Sequence, residues 1–239
     1  MSDVNIRRDE GVLTLEIDRQ SKRNSIDLPM FDLLAREFKN ANADDDVRAV
    51  LLCGAGDGFC AGHDLKAFDQ WPQSADDPVP RFLHALAALR KPLIIAIQGW
   101  AVGIGATALL HADWVVAAPR TSLRFPFLDL GIAPEAGSSL LLARAVGSLR
   151  ARQLLLGAEP IDGETAHAWG LVTELQPSAA LRAAAVHRAK LLAAKPPPMF
   201  KRVKDWLSLE GDLHARIDEE ISAINQAVME RRKAGEGGT

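Results

Sequence analysis

Two apolar, β-branched runs that each empty into a glycine-rich loop constrain this chain more than any other feature. Val47-Arg-Ala-Val-Leu-Leu52 leads into Gly54-Ala-Gly-Asp-Gly-Phe-Cys-Ala-Gly62, and Pro92-Leu-Ile-Ile-Ala-Ile-Gln98 leads into Gly99-Trp-Ala-Val-Gly-Ile-Gly105. Runs of that kind read as buried strands. A strand that turns through glycines into a helix, here predicted over Ala106 to His111, leaves backbone N–H groups unpaired at the helix start, the outline of an anion or oxyanion site. One such loop is explained by a tight connection in which glycine permits positive φ. Two, after successive strands, can aim two backbone donors at one point, which is how an oxyanion hole is built.

The remaining pattern places these strands in an α/β fold. Val12 to Asp18 alternates as a strand, and Asp9-Glu-Gly joins it to an earlier one as a hairpin. Asp27 and Pro29 open a helix whose apolar stripe is Phe31, Leu34, Phe38 and Ala41. Strand, helix, strand in that order implies a right-handed crossover in a parallel sheet. Asp69 to Arg81, with three prolines and several acids, reads as a mobile loop. An alanine-rich helix over Leu181 to Ala194 stops at a rigid joint, Lys195-Pro-Pro-Pro198. Helices follow over Phe200 to Leu209 and Leu213 to Arg232, with Ile217, Ile221, Ile224 and Val228 forming a stripe against the body or a neighbouring subunit. The organisation is a core over 1–195, a helical region over 196–232 and a disordered tail over 233–239. No internal sequence repeat is visible.

With 239 residues and 48% hydrophobic composition the chain can bury a large core, and a net charge of −3 points away from nucleic acid and anionic membranes. The first ten residues lack the apolar centre of a signal peptide, and no apolar run is long enough to span a bilayer, so a soluble cytoplasmic protein is expected. Cys53 and Cys60 fit no metal spacing and predict no disulfide. Partners are small molecules or other subunits.

Glu135 is the one carboxylate in Pro134-Glu-Ala-Gly-Ser-Ser139, flanked by apolar sequence. Two readings stand side by side. Glu135 moves a proton at the glycine loops, or it opens the following helix, where the dipole favours a carboxylate but lowers its pKa. Asp129 is the nearest competitor, with a turn role expected. His111 and Asp113 are expected to form a satisfied helical pair, and Thr107 to bond back to its own helix.

Arg23-Asn24-Ser25, Phe59-Cys-Ala-Gly-His-Asp-Leu65, the Gly99–Gly105 cluster and Gly157-Ala-Glu-Pro-Ile-Asp-Gly-Glu-Thr-Ala-His-Ala-Trp-Gly-Leu-Val172 together resemble the crotonase, or enoyl-CoA hydratase/isomerase, superfamily. The resemblance runs from about Val12 past Val172. It implies a spiral of ββα units with a C-terminal helical region, homotrimers or dimers of trimers, acyl-CoA thioester substrates, and neither a metal nor a cofactor beyond the coenzyme A of the substrate. It places the two oxyanion N–H groups at His63 and Ile104, the side chain of His63 having no assigned part. It lays Ala61, Asp64, Leu65 and Lys66 along the pantetheine and nucleotide, with Arg23 near the phosphates. Lys201, Arg202 and Lys204 are further candidates by charge. Phe68, Trp71, Phe82 and Trp100 are candidates for the acyl chain.

The departures concern the acids. The two water-activating glutamates of a typical hydratase fall at Thr107 and Phe127, neither of which can act as a base. The string Phe125 to Ser139 instead resembles the peroxisomal-type Δ3,Δ2-enoyl-CoA isomerase branch, whose single base is the glutamate of Pro-Glu-x-x-Ser-Ser, here Glu135. Phe127 then serves as an apolar wall. Isomerisation is the expected reaction. Hydration through Glu135 or Asp129, and a silent acyl-CoA-binding protein, are the alternatives.

Overall fold

The computed structural model describes residues 3–208 and 210–236, excepting the side chains of 68, 210, 211, 235 and 236. The chain opens with the predicted hairpin, β1 (Val4–Asp9) and β2 (Val12–Ile17), antiparallel across Glu10-Gly11. After a 3-10 turn at Gln20–Lys22 comes α1 (Leu28–Ala43), where the Met30 N–H donates to the Asp27 carboxylate at 3.1 Å and Pro29 lies in the first turn. β3 (Ala49–Gly54) returns parallel to β2, completing the crossover. A 3-10 segment at Leu65–Gln70, then α2 (Pro78–Ala87), leads to β4 (Leu93–Ile97), parallel to β3. Two of the three prolines expected to make 69–81 mobile, Pro78 and Pro80, instead lie in the first turn of α2, because proline suits a first helical turn. Trp71 and Gln73 in that segment are buried.

Beyond β4, Gly99 is followed by a short strand, β5 (Trp100–Val102), before the helix α3 (Ile104–Thr107), which tightens into a 3-10 turn at Ala108–His111. The helical stretch therefore covers the predicted Ala106 to His111 and starts two residues earlier, at Ile104. β6 (Trp114–Ala117) pairs parallel with β4, and β7 (Ser122–Arg124) pairs parallel with β5. Short bridges between Ile26 and His63, Cys60 and Ala101, and Leu123 and Ile161 extend this second layer on both sides. The chain thus winds as a spiral, each unit giving one strand to the main sheet, one short extended piece to the second layer, and a helix.

α4 (Ser138–Val146), α5 (Ser148–Gly157) and α6 (Gly163–Ala168) precede the edge strand β8 (Glu174–Leu175). Among the described residues the main sheet has six strands in the order β1-β2-β3-β4-β6-β8. One face packs on α1 and α2 through Phe31, Phe38 and Phe82. The other packs on α7 (Ser178–Ala193), whose Ala185, Ala189 and Ala193 sit near Leu51, Ile94 and Val116. Small side chains let that helix lie close to a sheet that is buried on both faces.

α8 (Pro197–Leu207) begins within the prolines, which form its first turn rather than a separate joint. α9 (Glu210–Glu236) runs through most of the segment predicted as a disordered tail, of which 237–239 lie outside the described residues. Leu213, Ile217, Ile221, Ile224 and Val228 are 0–8% exposed against the chain's own body, each burial contributing roughly 1.5–3 kcal/mol. Among the described residues no helix is long and apolar enough to cross a membrane.

Asn24 joins the first loop to the loop after β3. It is 1% exposed at φ 59°, and its amide donates to the Ala55 and Gly58 carbonyls at 2.9 and 2.8 Å while its side-chain oxygen accepts from the Arg19 N–H at 2.9 Å. Asn24→Ala removes three bonds and leaves buried backbone groups unpaired. Denaturant unfolding is expected to show a loss of about 2–4 kcal/mol; a change below about 0.5 kcal/mol would show that the loops hold without it.

Candidate active site

The two glycine loops meet where neither can carry a side chain. A Cβ on Gly62 would lie 3.0 Å from the Val102 carbonyl oxygen, and one on Gly103 would lie 3.8 Å from the Gly62 Cα. Both residues have positive φ, 96° and 54°. The loop after β3 runs between Ile26 and β5. The Ile26 N–H donates to the Gly62 carbonyl, and the Asp64 N–H to the Ile26 carbonyl, both at 2.8 Å. In a parallel bridge the intervening residue turns its own peptide groups the other way, so the His63 N–H faces the end of β5. Ile104 is the first residue of α3 and its N–H has no intrahelical acceptor. Two backbone donors therefore flank the Gly62–Gly103 contact.

At that contact opens a cavity of about 240 Å³, lined by Ala61, Gly62, His63 and Leu65 from the first loop, Val102 and Gly103 from the second, and Glu135. Trp71, Pro126, Phe127, Leu130, Ile132 and Ile224 make the rest of the wall apolar, with Arg124 at one side. Glu135 is the sole carboxylate among the described residues that line it. Its Oε1 lies 4.0 Å from where a Cβ on Gly103 would stand.

Glu135 precedes α4 rather than opening it, so the dipole reading loses its geometry. Burial, with the nearby Glu220 carboxyl adding to it, pushes the Glu135 pKa up from 4.5 to about 8. The turn that carries it is held from two sides. His111 Nε2 lies 2.8 Å from the Ala136 carbonyl and, facing an acceptor, donates. Glu220, on α9, accepts from the Gly137 N–H at 2.7 Å, the Ser139 N–H at 3.0 Å and the Ser139 hydroxyl at 2.6 Å. Ala136 and Gly137 both take left-handed φ, 61° and 66°; such a conformation costs of order 1–3 kcal/mol at a non-glycine residue and persists only where the surroundings enforce it.

Of the residues predicted from sequence, the structure brings Glu135, Ala61, His63, Leu65 and Phe127 to one cavity, while Ile104 follows Gly103 in the chain and is not in the lining. The imidazole of His63 packs edge-on against Phe31 at 4.9 Å between ring centres, and burial lowers its pKa to about 4, so the ring is neutral at pH 7. Asp64 turns away: Arg19 pairs with it at 2.7 Å and holds its carboxyl below the usual range. Lys66 is exposed, and the Arg23 guanidinium stacks 4.4 Å over Trp100, outside the cavity. Of the acyl candidates, Trp71 lines the wall, Phe82 is in the core and Trp100 is not in the wall; the Phe68 side chain lies outside the described residues.

The competing polar groups are used elsewhere. Asp129 is exposed and pairs with Arg124 at 2.7 Å. His111 and Asp113 do not pair with each other: Asp113 accepts from the Leu93 N–H at 2.8 Å and from Lys204 Nζ at 2.6 Å, which also removes Lys204 from the phosphate candidates. The Thr107 hydroxyl is fully buried with no hydrogen-bond partner among the described residues rather than bonded back to its helix, and it does not line the cavity. Sequence reasoning missed Arg124, Ile224 and Glu220. The signal for Glu220 was present, an acid three residues after Ile217 on the apolar face of a helix.

The model of the family described as enoyl-CoA hydratase/isomerase matches residues 7–234. The chain belongs to the enoyl-CoA hydratase/isomerase family. It is 38% identical over 196 residues to 1,2-epoxyphenylacetyl-CoA isomerase of Escherichia coli, covering 79% of this chain and 75% of the relative. It is 31% identical over 223 residues to enoyl-CoA delta isomerase 2 of Rattus norvegicus, covering 90% of this chain and 57% of that longer protein. The crystal structure of an enoyl-CoA hydratase/isomerase from Pseudoalteromonas atlantica superposes with a TM-score of 0.91 at 34% identity, covering 95% of this chain and 92% of the other. The expected spiral and family are both found.

A carboxyl raised by burial makes stability depend on pH. The folded protein holds the Glu135 proton up to about 8, whereas the unfolded chain releases it near 4.5. Between those values the folded state loses roughly 1.4 kcal/mol per pH unit relative to a neutral isostere. Glu135→Gln is expected to melt with the wild type at pH 4 and several degrees above it at pH 8; coincident melting at both would show that the carboxyl is not buried.

Proposed function

We propose that this protein is an acyl-CoA isomerase that moves the double bond of a 3-enoyl-CoA to the 2-position, with Glu135 as the group that carries the proton. The observation that supports this most is a lone carboxyl, in a wall made mainly of apolar side chains, beside the two loops that carry the His63 and Ile104 N–H groups. The ionised carboxylate takes a proton from C2, and the electron pair moves through the conjugated system onto the thioester oxygen as a dienolate. The two N–H groups stabilise that charge more than the ground-state carbonyl, at a few kcal/mol per donor. The protonated Glu135 then delivers the proton to C4. One carboxyl suffices because its basic and acidic roles are sequential.

Water addition requires a nucleophile held and activated beside the substrate. At the positions the family resemblance gives to a hydratase's glutamates stand Thr107, away from the cavity, and Phe127, part of its apolar wall. Such a wall excludes water and keeps the proton affinity of Glu135 high. Ala61 and Leu65 lie along the cavity mouth where a pantetheine arm would pass, and the exposed cations Arg23 and Lys66 suit the nucleotide phosphates.

Turnover of a 3-enoyl-CoA should appear as formation of the conjugated 2-enoyl thioester, with a loss of at least about 100-fold in Glu135→Gln. Because Glu135 must be ionised to accept a proton, kcat/KM should rise with pH, reach half its limit near the Glu135 pKa of about 8 and level off above it. Predominant water addition to a 2-enoyl-CoA, retained in Glu135→Gln, would replace this reading with a hydratase. Binding without turnover would leave a silent acyl-CoA protein.

The assembly proposed is a homotrimer or a dimer of trimers. Met199, Val203, Trp206 and Leu207 on α8 are 42–80% exposed and supply an apolar face for subunit contact. Light scattering should give three or six chain masses, and Trp206→Ser should lower the assembled fraction; a monodisperse monomer would overturn the assembly.

A further inference from the structure

We propose that Glu220, on the C-terminal helix, is a positioning residue for Glu135: its carboxylate holds the turn from which Glu135 projects and places a second negative charge beside it. This rests on the reading of Glu135 as the proton carrier. Both oxygens of Glu220 are engaged, Oε2 by the Gly137 N–H at 2.7 Å and Oε1 by the Ser139 N–H at 3.0 Å and hydroxyl at 2.6 Å. All three partners donate, the pattern an ionised carboxylate satisfies. Glu220 is 5% exposed and reaches this turn from 81 residues beyond Ser139.

The bonds also cap α4. Gly137 occupies the N-cap position and has no side chain with which to do so. A cap needs no charge from a distant helix, since an asparagine or serine at the N-cap itself would serve. What distinguishes Glu220 is the charge next to a buried acid. Burial raises its own pKa, and its charge raises that of Glu135.

Other groups facing Glu135 do not supply charge. Cys60, in the loop after β3, is held at about 12, and His63 and His111 at about 4, so all three are neutral at pH 7. Arg124 is compensated by Asp129 at 2.7 Å. On α9, Arg216 faces Glu220 and pairs with Glu219 at 3.2 Å. Lys204 of α8 and His214 of α9 act on His111.

The test compares wild type, Glu220→Gln, Ser139→Ala and Glu135→Gln. Carboxyl titrations are followed by NMR of 13C-labelled glutamate, and kcat/KM for a 3-enoyl-CoA is measured against pH. Removing the Glu220 charge lets Glu135 ionise more easily, so its titration and the acid limb of kcat/KM should both move about one unit to lower pH. The plateau kcat should fall about tenfold from lost positioning. Ser139→Ala weakens the hold but keeps the charge, so kcat should fall with the limb in place.

Glu220 must already carry its charge when Glu135 titrates, so in Glu135→Gln the Glu220 carboxyl should titrate below about 8, where Glu135 titrates in the wild type. That measurement remains available where Glu220→Gln does not fold. A Glu135 titration unmoved in Glu220→Gln, or a Glu220 carboxyl that stays protonated above about 8 in Glu135→Gln, would overturn the proposal and leave Glu220 a helix cap. Wild type without 3-enoyl-CoA turnover but with shifted titrations would instead sink the isomerase reading while leaving the coupling intact.

Discussion

The approach of Gly62 to Gly103 is the contact on which the rest of the structure depends. Parallel neighbours in a sheet bring the loops at their C-terminal ends side by side, but side chains would keep the backbones apart. Here a Cβ on Gly62 would crowd the Val102 carbonyl, and both residues take φ values that favour glycine. Closing that gap brings the His63 and Ile104 peptides to either side of the Gly62–Gly103 contact, beside the cavity that His63 and Gly103 line. It also requires β3 and β4 to be adjacent, which the covered parallel sheet provides, and Asn24 to bind the loop from beneath.

Around that contact the chain uses its C-terminal helix as the far wall. α9 buries Ile217, Ile221 and Ile224 against the body, places Ile224 in the cavity, and exchanges two hydrogen bonds of 2.7 Å between Asn225 and Gln73 that fix the segment carrying Trp71. Through Glu220 the same helix grips the turn of Glu135. The site is thus closed by residues more than a hundred positions from the glycine loops, and the left-handed backbone at Ala136, a non-glycine residue, is the visible sign of how firmly that turn is determined.

Two opposed requirements meet at Glu135. A carboxyl buried among apolar groups binds its proton tightly, and donors fixed for an oxyanion favour negative charge a few ångströms away. The reaction proposed, which lifts a proton off carbon and returns it to carbon, uses both, and Glu135 is the sole carboxyl that the wall offers among the described residues. Fold membership leaves the choice among reactions open, since the relatives include isomerases of different thioesters. It is the placement of single side chains that narrows it.

The glycine loops, the apolar strands between them, the α1 cap at Asp27 and the stripe on α9 were all legible from sequence, because each is a local pattern whose spacing records which face is buried. The ββα spiral was not visible as a repeat in the residues; the family resemblance implied it, since the units share backbone path rather than side chains. Local composition misled where long-range contacts decide. Prolines suggested a loose segment that packing starts as a helix, and acids near the C-terminus suggested a tail where the helix continues. Sequence by itself marked the two glycine loops and made Glu135 a candidate base, and the family resemblance assigned the donors to His63 and Ile104. Only the tertiary structure decided that Glu135 is buried rather than at a helix start, that Asp64 and Asp129 are neutralised by arginines, and that Glu220 stands against the Glu135 turn. Those outcomes rest on burial and charge pairing between distant segments, which no local pattern encodes.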